Sequence, residues 1–384
     1  MSTAATRFPD PLPALALDGA GRQIVSVLVK RTYDIQGTGR CTLAEKQLPL
    51  DTRPLEGKDC PPWATELDVA PFKPATDVVV FGKAYAPGGR AAEMDVGVHI
   101  AKRSKTIRAF GPRRCLARGA FSRPEPFEAI PLGYDCAYGG NDPAVVNYPA
   151  EPQDMAEILA QMMQPPGNYP RNPTGKGYVI QPPAQGLDGL ELPNFEDPQD
   201  LLTPERLIVG RLADWHRQPL PQGFGWLDMG WFPRCAFGGG LPYLTPPDAV
   251  KEVDLGYLPA GYATRLRTTA VENLIDLRLF NGAAPGLVLP YLRGDEAVKI
   301  TGMDRLGVCN FQLPGDRPKV SIRCRGKELA VDLTPHTVGV LMEEQLVYLV
   351  WRASAVPPAG FTPPLPTKKN LEPDELADFQ ITVA

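Results

Sequence analysis

Proline constrains this chain more than any other feature of its sequence: 44 of its 384 residues are proline, and 37 more are glycine. That is roughly twice the ordinary proline usage of about 5%. Proline removes a backbone donor and breaks helix interiors, which excludes an architecture of long helices. Chains this rich in both residues are often disordered, yet apolar, strand-like segments run through most of this one. Hydrophobic residues make up 43% and charged residues 22%, enough to bury a sizeable core without disulfides or structural metals. The sequence therefore predicts a mainly β protein with many long, rigid loops.

Strand periodicity is clearest towards the two ends. Gln23–Ile35 alternates and is rich in β-branched residues, and Cys41–Leu50 follows as a partner strand after the GTGR turn. Asp77–Ala86, Met94–Ala101 and Lys105–Phe110 read as a three-strand meander. The stretch from Phe127 to Pro247 is dense in Pro, Gly, Asn and aromatics. Its best helix is Asp154–Gln164, capped by Asp154 and stopped by Pro165, and the TPER pattern at Thr203 starts a second short one. Strands resume at Arg265–Val271, Leu274–Phe280, Glu296–Gly302, Gly307–Leu313, Lys319–Cys324 and Glu328–Leu333. Thr337–Met342 and Gln345–Trp351 form the clearest hairpin. The expected division is an N-terminal β region (1–126), a loop-rich centre with one or two short helices (127–247), a C-terminal β region (248–354) and a Pro-rich tail (355–384). Both β regions read as antiparallel and sandwich-like. The tail ends in the apolar FQITVA, either as a solvated linker or as an arm that pairs with an open sheet edge.

Charge and cysteine usage bound the partners. The net charge is -4 and the basic residues are dispersed, so no patch offers the footprint that a phosphate backbone requires. No apolar run approaches the roughly 20 residues that span a bilayer. Met1–Gly21 lacks the basic start and unbroken apolar segment of a signal peptide. Seven cysteines, at 41, 60, 115, 136, 235, 309 and 324, form an odd set without close pairs, as suits a reducing compartment. The expectation is a cytoplasmic protein that binds neither nucleic acid nor membrane and carries no cofactor.

The search for catalytic chemistry is mostly negative. None of the six serines, at 2, 26, 104, 122, 321 and 354, lies in a G-x-S-x-G turn. His99, His216 and His336 are far apart and lack zinc-ligand spacing. Cys235, with His216 as its base, makes a conceivable thiol nucleophile, but a buried structural cysteine is the plainer reading. Asn172–Tyr178, NPTGKGY, has the Gly-Lys pair of a phosphate loop. Pro170 stands where that loop needs glycine, and Gly177 where it needs Ser or Thr. The enzyme alternative is a hydrolase or carbohydrate-active protein that uses the loop carboxylates Asp135, Asp142, Asp228 and Glu296.

Several loops combine Gly, Pro and aromatics: Lys73–Gly89, Tyr134–Gly140, Arg171–Tyr178, Leu192–Pro198 and Pro221–Arg234. Glycine permits close backbone approach, proline fixes direction, and Tyr or Trp adds rigid apolar area with a polar tip. Such loops build either a stiff internal scaffold or a recognition surface. The candidate partner-binding residues are Tyr138, Asn172, Lys176, Tyr178, Trp226, Trp231 and Arg234. Each also has a plainer reading: the aromatics pack against neighbouring loops, Lys176 neutralises a carboxylate, and Arg234 braces carbonyl oxygens.

These segments, in this order, resemble the bacterial family called domain of unknown function 2169. Val29–Ile35, Lys73–Gly89, Tyr134–Gly140, Asn172–Tyr178, Leu192–Pro198 and Pro221–Arg234 carry the likeness. It continues through Phe280–Pro285, Gly294–Glu296, Phe311–Gly315 and Leu349–Ala353, and so spans about 25 to 355. The resemblance implies an adaptor or chaperone of type VI secretion. Such a protein couples a toxin effector to the VgrG spike, often beside a PAAR-type tip, and has no established catalytic residues. A component carried with the spike is the structural alternative. Phe237–Tyr243 departs from the family's usual turn, and the tail beyond Pro357 lies outside the likeness.

Overall fold

A computed structural model describes residues 8–52, 60–70, 72–117, 119–142, 157, 167–182, 186–238, 276–358 and 379–384. In chain order its strands begin with β1 (Leu12–Leu17), β2 (Gln23–Asp34), β3 (Thr42–Leu43), β4 (Thr76–Phe81), β5 (Lys83–Tyr85), β6 (Glu93–Ile100) and β7 (Arg103–Phe110). The centre adds only short pieces: β8 (Ala129–Pro131), β9 (Tyr138–Gly139), β10 (Lys176–Gly177) and β11 (Phe195–Glu196). Then come β12 (Val288–Leu289), β13 (Ala297–Thr301), β14 (Val308–Gln312), β15 (Val320–Cys324) and β16 (Lys327–Glu328). The last are β17 (Asp332–Leu341), β18 (Leu346–Ala355) and β19 (Phe379–Val383). The fold is mainly β.

Two sheets make the scaffold. The larger runs β1-β2-β18-β17-β4-β12, with β3 beside β2. All its pairings are antiparallel except β17 with β4, which run parallel from Thr337↔Asp77 to Leu341↔Phe81. Nearly every residue of β2 and β18 is buried, as expected of central strands covered on both faces. The second sheet, β11-β7-β6-β13-β14, is antiparallel throughout. Strands from both ends of the chain meet in both sheets, and one hydrophobic cluster spans them, from Val27 and Val79 to Val98, Ile300 and Trp351. Over the larger sheet, Lys30 is fully buried. It sits 2.7 Å from both Asp51 and Asp68 and caps the Tyr348 ring at 4.6 Å.

The β17–β18 hairpin forms as its alternation predicts, and longer. The meander needs correction. Asp77–Ala86 splits at Gly82, where β4 stays in the larger sheet and β5 leaves to pair with β8. A Cβ at Gly82 would stand 2.9 Å from Met342 Cβ, so only glycine lets the chain pass so close. β6 and β7 belong to the second sheet. Leu277–Phe280 is a 3₁₀ turn rather than a strand end, because the Asp276 carboxylate accepts the Arg278 N–H and caps it. Of Cys41–Leu50 only Thr42–Leu43 is strand, and of Glu328–Leu333 only Glu328 and the start of β17 are. TPER forms a 3₁₀ turn at Pro204–Arg206. Of the helix expected at Asp154–Gln164, Glu157 is helical and pairs with Arg211 at 3.4 Å, and the rest lies outside the described residues. So do the strand expected at Arg265–Val271 and the departing turn from residue 239 on. The tail ends as an arm: β19 pairs antiparallel with β15, Val320↔Val383 to Cys324↔Phe379.

The loop-rich centre has a second core of its own. Tyr138, Tyr169, Tyr178, Trp215 and Phe232 pack with Leu192, Leu202, Leu207 and Leu212. Their rings meet mainly edge-on or tilted at 4.9 to 6.4 Å, an arrangement worth about 0.5–1.5 kcal/mol per pair beyond burial.

Candidate protein-interaction surface

The loop motifs meet in three places. At the first, Lys73 Nζ lies 2.7 Å from Asp77 Oδ2, with both side chains fully buried. Asp77 also accepts from Asn281 Nδ2 at 3.0 Å and from the Gly282 and Ala283 N–H groups. Lys73 donates to Thr337 Oγ1 and sits 5.1 Å over the Trp226 ring. Taking such a pair out of water is costly, and the surrounding donors and the ring offset that cost. This node ties segments from 73, 226, 281 and 337 into one structure.

At the second, YDCAYGG lies against NPTGKGY through the parallel β9–β10 pair, Tyr138↔Lys176 and Gly139↔Gly177. Asn172 is fully buried. Its Nδ2 donates to the Tyr134 and Tyr138 carbonyls at 2.8 and 3.0 Å, and its Oδ1 accepts from Thr174 N and Oγ1. A Cβ on Gly175 would fall 2.5 Å from the Ala137 carbonyl. The glycines of both motifs are thus there for backbone packing. Tyr138 and Tyr178 are buried in the aromatic core, and burial raises both phenols well above their ordinary pKa. The Tyr138 hydroxyl donates to Gln218 Oε1 at 3.1 Å.

At the third, Arg234 is buried and meets Glu66 at 2.6 Å, donating also to the Leu227 and Leu279 carbonyls. Trp226 Nε1 donates to the Trp63 carbonyl at 3.2 Å. A Cβ on Gly282 would stand 2.9 Å from Arg234 and 3.1 Å from Trp226. Five of the seven candidate side chains, those of Tyr138, Asn172, Tyr178, Trp226 and Arg234, therefore hold the scaffold from inside.

Lys176 and Trp231 face outward. Lys176 keeps 27% of its side chain exposed, 3.7 Å from Glu191. Trp231 is half-buried and meets Tyr134 edge-on at 5.6 Å. It closes a turn in which Asp228 Oδ1 accepts from Gly230 N at 2.7 Å, and which leaves Met229 41% exposed. Lys176 N donates to the Ala137 carbonyl at 3.0 Å, three residues along the chain from the Tyr134 that Trp231 meets. Met229, at the tip of that turn, is not among the candidates drawn from the sequence. The Asp-Met-Gly-Trp order, a turn former with a large apolar residue at its tip, is the signal that marks Met229.

The chain matches, over residues 20–352, the family described as "Uncharacterized protein conserved in bacteria (DUF2169)". It belongs to that family. No curated protein and no solved structure matches it. In this DUF2169 chain most of the residues that carry the family likeness do internal work.

Of the residues weighed for catalysis, His216, Asp142, Asp228 and Glu296 are likewise engaged. Burial pushes the Cys235 thiol up to about 12 and pulls His216 down, and the imidazole Nδ1 lies 3.0 Å from the Ala213 carbonyl. A thiol so raised does not ionise near neutrality. Asp142 accepts from Ile180 N and Gln181 N, Glu296 from Arg293 N and Gly294 N, and Asp228 from Gly230 N. These carboxylates brace loops. Among the described residues, no group of three or more His, Cys, Asp or Glu is placed to hold a metal, and no helix is long and apolar enough to cross a membrane.

Proposed function

We propose that this protein is a non-catalytic, cytoplasmic adaptor of type VI secretion, which binds a toxin effector and helps load it onto the VgrG spike, with a PAAR-type tip as a further partner. The observation that carries the reading is the division of labour among the loop motifs. Five of the seven candidate side chains are locked in a rigid scaffold, while one turn, Asp228–Trp231, exposes Met229 at its tip and sets Trp231 edge-on against Tyr134. A rigid aromatic anchor with polar groups at its rim suits protein recognition, because little entropy is lost on contact. Co-purification with the toxin and the VgrG protein encoded beside its gene tests the proposal. The expected result is a stoichiometric complex that weakens when Met229 and Trp231 are both changed to Ala. Well-folded partners that fail to associate at micromolar concentration would overturn it.

A further inference from the structure

We propose that the outer edge of β15 is a docking slot for an extended strand of a partner protein, and that the chain's own C-terminal strand is an exchangeable occupant. β15 belongs to a small sheet, β16-β15-β19, whose inner side carries the fully buried Ile322. The tail completes this sheet across five register pairs, with Ile381 and Val383 packed against the main core. Gln380, Thr382 and Ala384 stay exposed, and even Ile381 and Val383 are only half-buried. Beyond the ladder, the strand's end is held by the Lys319–Ala384 backbone pair and by Arg31 Nη2, which donates to the Ala384 carbonyl at 2.9 Å. An edge strand with so little buried side chain opens more readily than central strands such as β17 and β18. Its departure would uncover Ile322 and the row of β15 backbone groups, a template on which another extended segment can pair.

The slot also has room that the resident strand leaves empty. A recess of about 490 Å³ lies beside β19. Val320, Val331 and Leu333 line it together with Val383, which stands opposite Val320 in the register. A partner strand with the pattern polar–apolar–polar–apolar, and a larger apolar side chain where Val383 sits, would make the same ladder and fill the recess. This inference uses no residue of the proposed effector-binding turn, so either can fail without the other.

The test uses the full chain. The double substitution Ile381→Asp and Val383→Asp releases β19, and a labelled peptide with the sequence of residues 379–384 is titrated by fluorescence anisotropy. The released variant should bind the peptide one to one, and the unchanged chain should bind it at least about tenfold more weakly, because its own strand competes at roughly millimolar effective concentration. A peptide with Val383→Phe should bind the released variant about tenfold more tightly than the native peptide, through the added buried ring. In the unchanged chain, the Gln380 and Thr382 amides, which face β15, should exchange with solvent about a hundredfold faster than those of β17 and β18. A released variant that melts cooperatively but ignores both peptides would overturn the proposal, as would amides in β19 that exchange as slowly as the central strands. Release of β19 into a second copy, read as a stable dimer of the unchanged chain, would replace the partner strand with a homologous one and equally overturn it.

Discussion

Asn172 was read from its motif as a partner contact, and it works instead as the clasp between two glycine loops. Removing its amide in Asn172→Ala strands two buried carbonyls and should cost about 3 kcal/mol, visible as a lower urea midpoint with the m-value unchanged. The Lys73–Asp77 pair makes a sharper case. Asp77→Ala leaves the Lys73 ammonium buried without its counter-charge and should cost about 3–5 kcal/mol, whereas Lys73→Met with Asp77→Asn should recover part of that loss, because the amide oxygen still accepts from Asn281 Nδ2 and Ala283 N. His336 gives the pH dependence. It is fully buried, and burial with the nearby Arg352 and Lys73 charges holds its pKa well below 6.5. Above about pH 6.5 the ring is neutral both folded and unfolded. As pH falls below that value the unfolded chain takes up a proton that the folded chain refuses, so stability drops. His216 is lowered too and adds in the same direction. Urea midpoints between pH 7.5 and 5 should decline in the unchanged protein and less steeply in His336→Gln.

Strand identity was legible in the sequence wherever alternation ran on. β2, β6, β17 and β18 lie within a few residues of where the hydrophobic period puts them. Which strands pair was not, because period records a face and not a neighbour. The parallel contact between β4 and β17 joins residues about 260 positions apart, and no local signal announces it. Short strands such as β9 and β10 were invisible for a different reason. They exist only because Gly139, Gly175 and Gly177 allow backbones to touch. Gly175→Ala should therefore behave as a core mutation despite its loop position, lowering the melting temperature by several degrees, since the Ala137 carbonyl has nowhere to move. The tail's two readings differed only in whether an edge was open to it, and β15 supplies one.

At the scale of the whole molecule, the chain puts its unusual composition into rigidity. Prolines and glycines route long loops, aromatics fill a second core, and the ends close common sheets. Sequence alone does not separate buried from exposed aromatics in such loops, because both occur among the same glycines and prolines. Trp226 and Trp231 lie within one motif, yet one is held in the interior by Trp63 and the other stands at the surface beside Tyr134. If recognition resides in that surface, the most direct measurement is a calorimetric titration of the purified chain with the proposed toxin effector, repeated for Met229→Ala with Trp231→Ala. The account predicts one-to-one binding that weakens by about thirtyfold in the double variant, the scale of a lost anchor, while thermal stability is kept. Affinity that is unchanged in the folded variant, or no heat of binding with either protein, would contradict it.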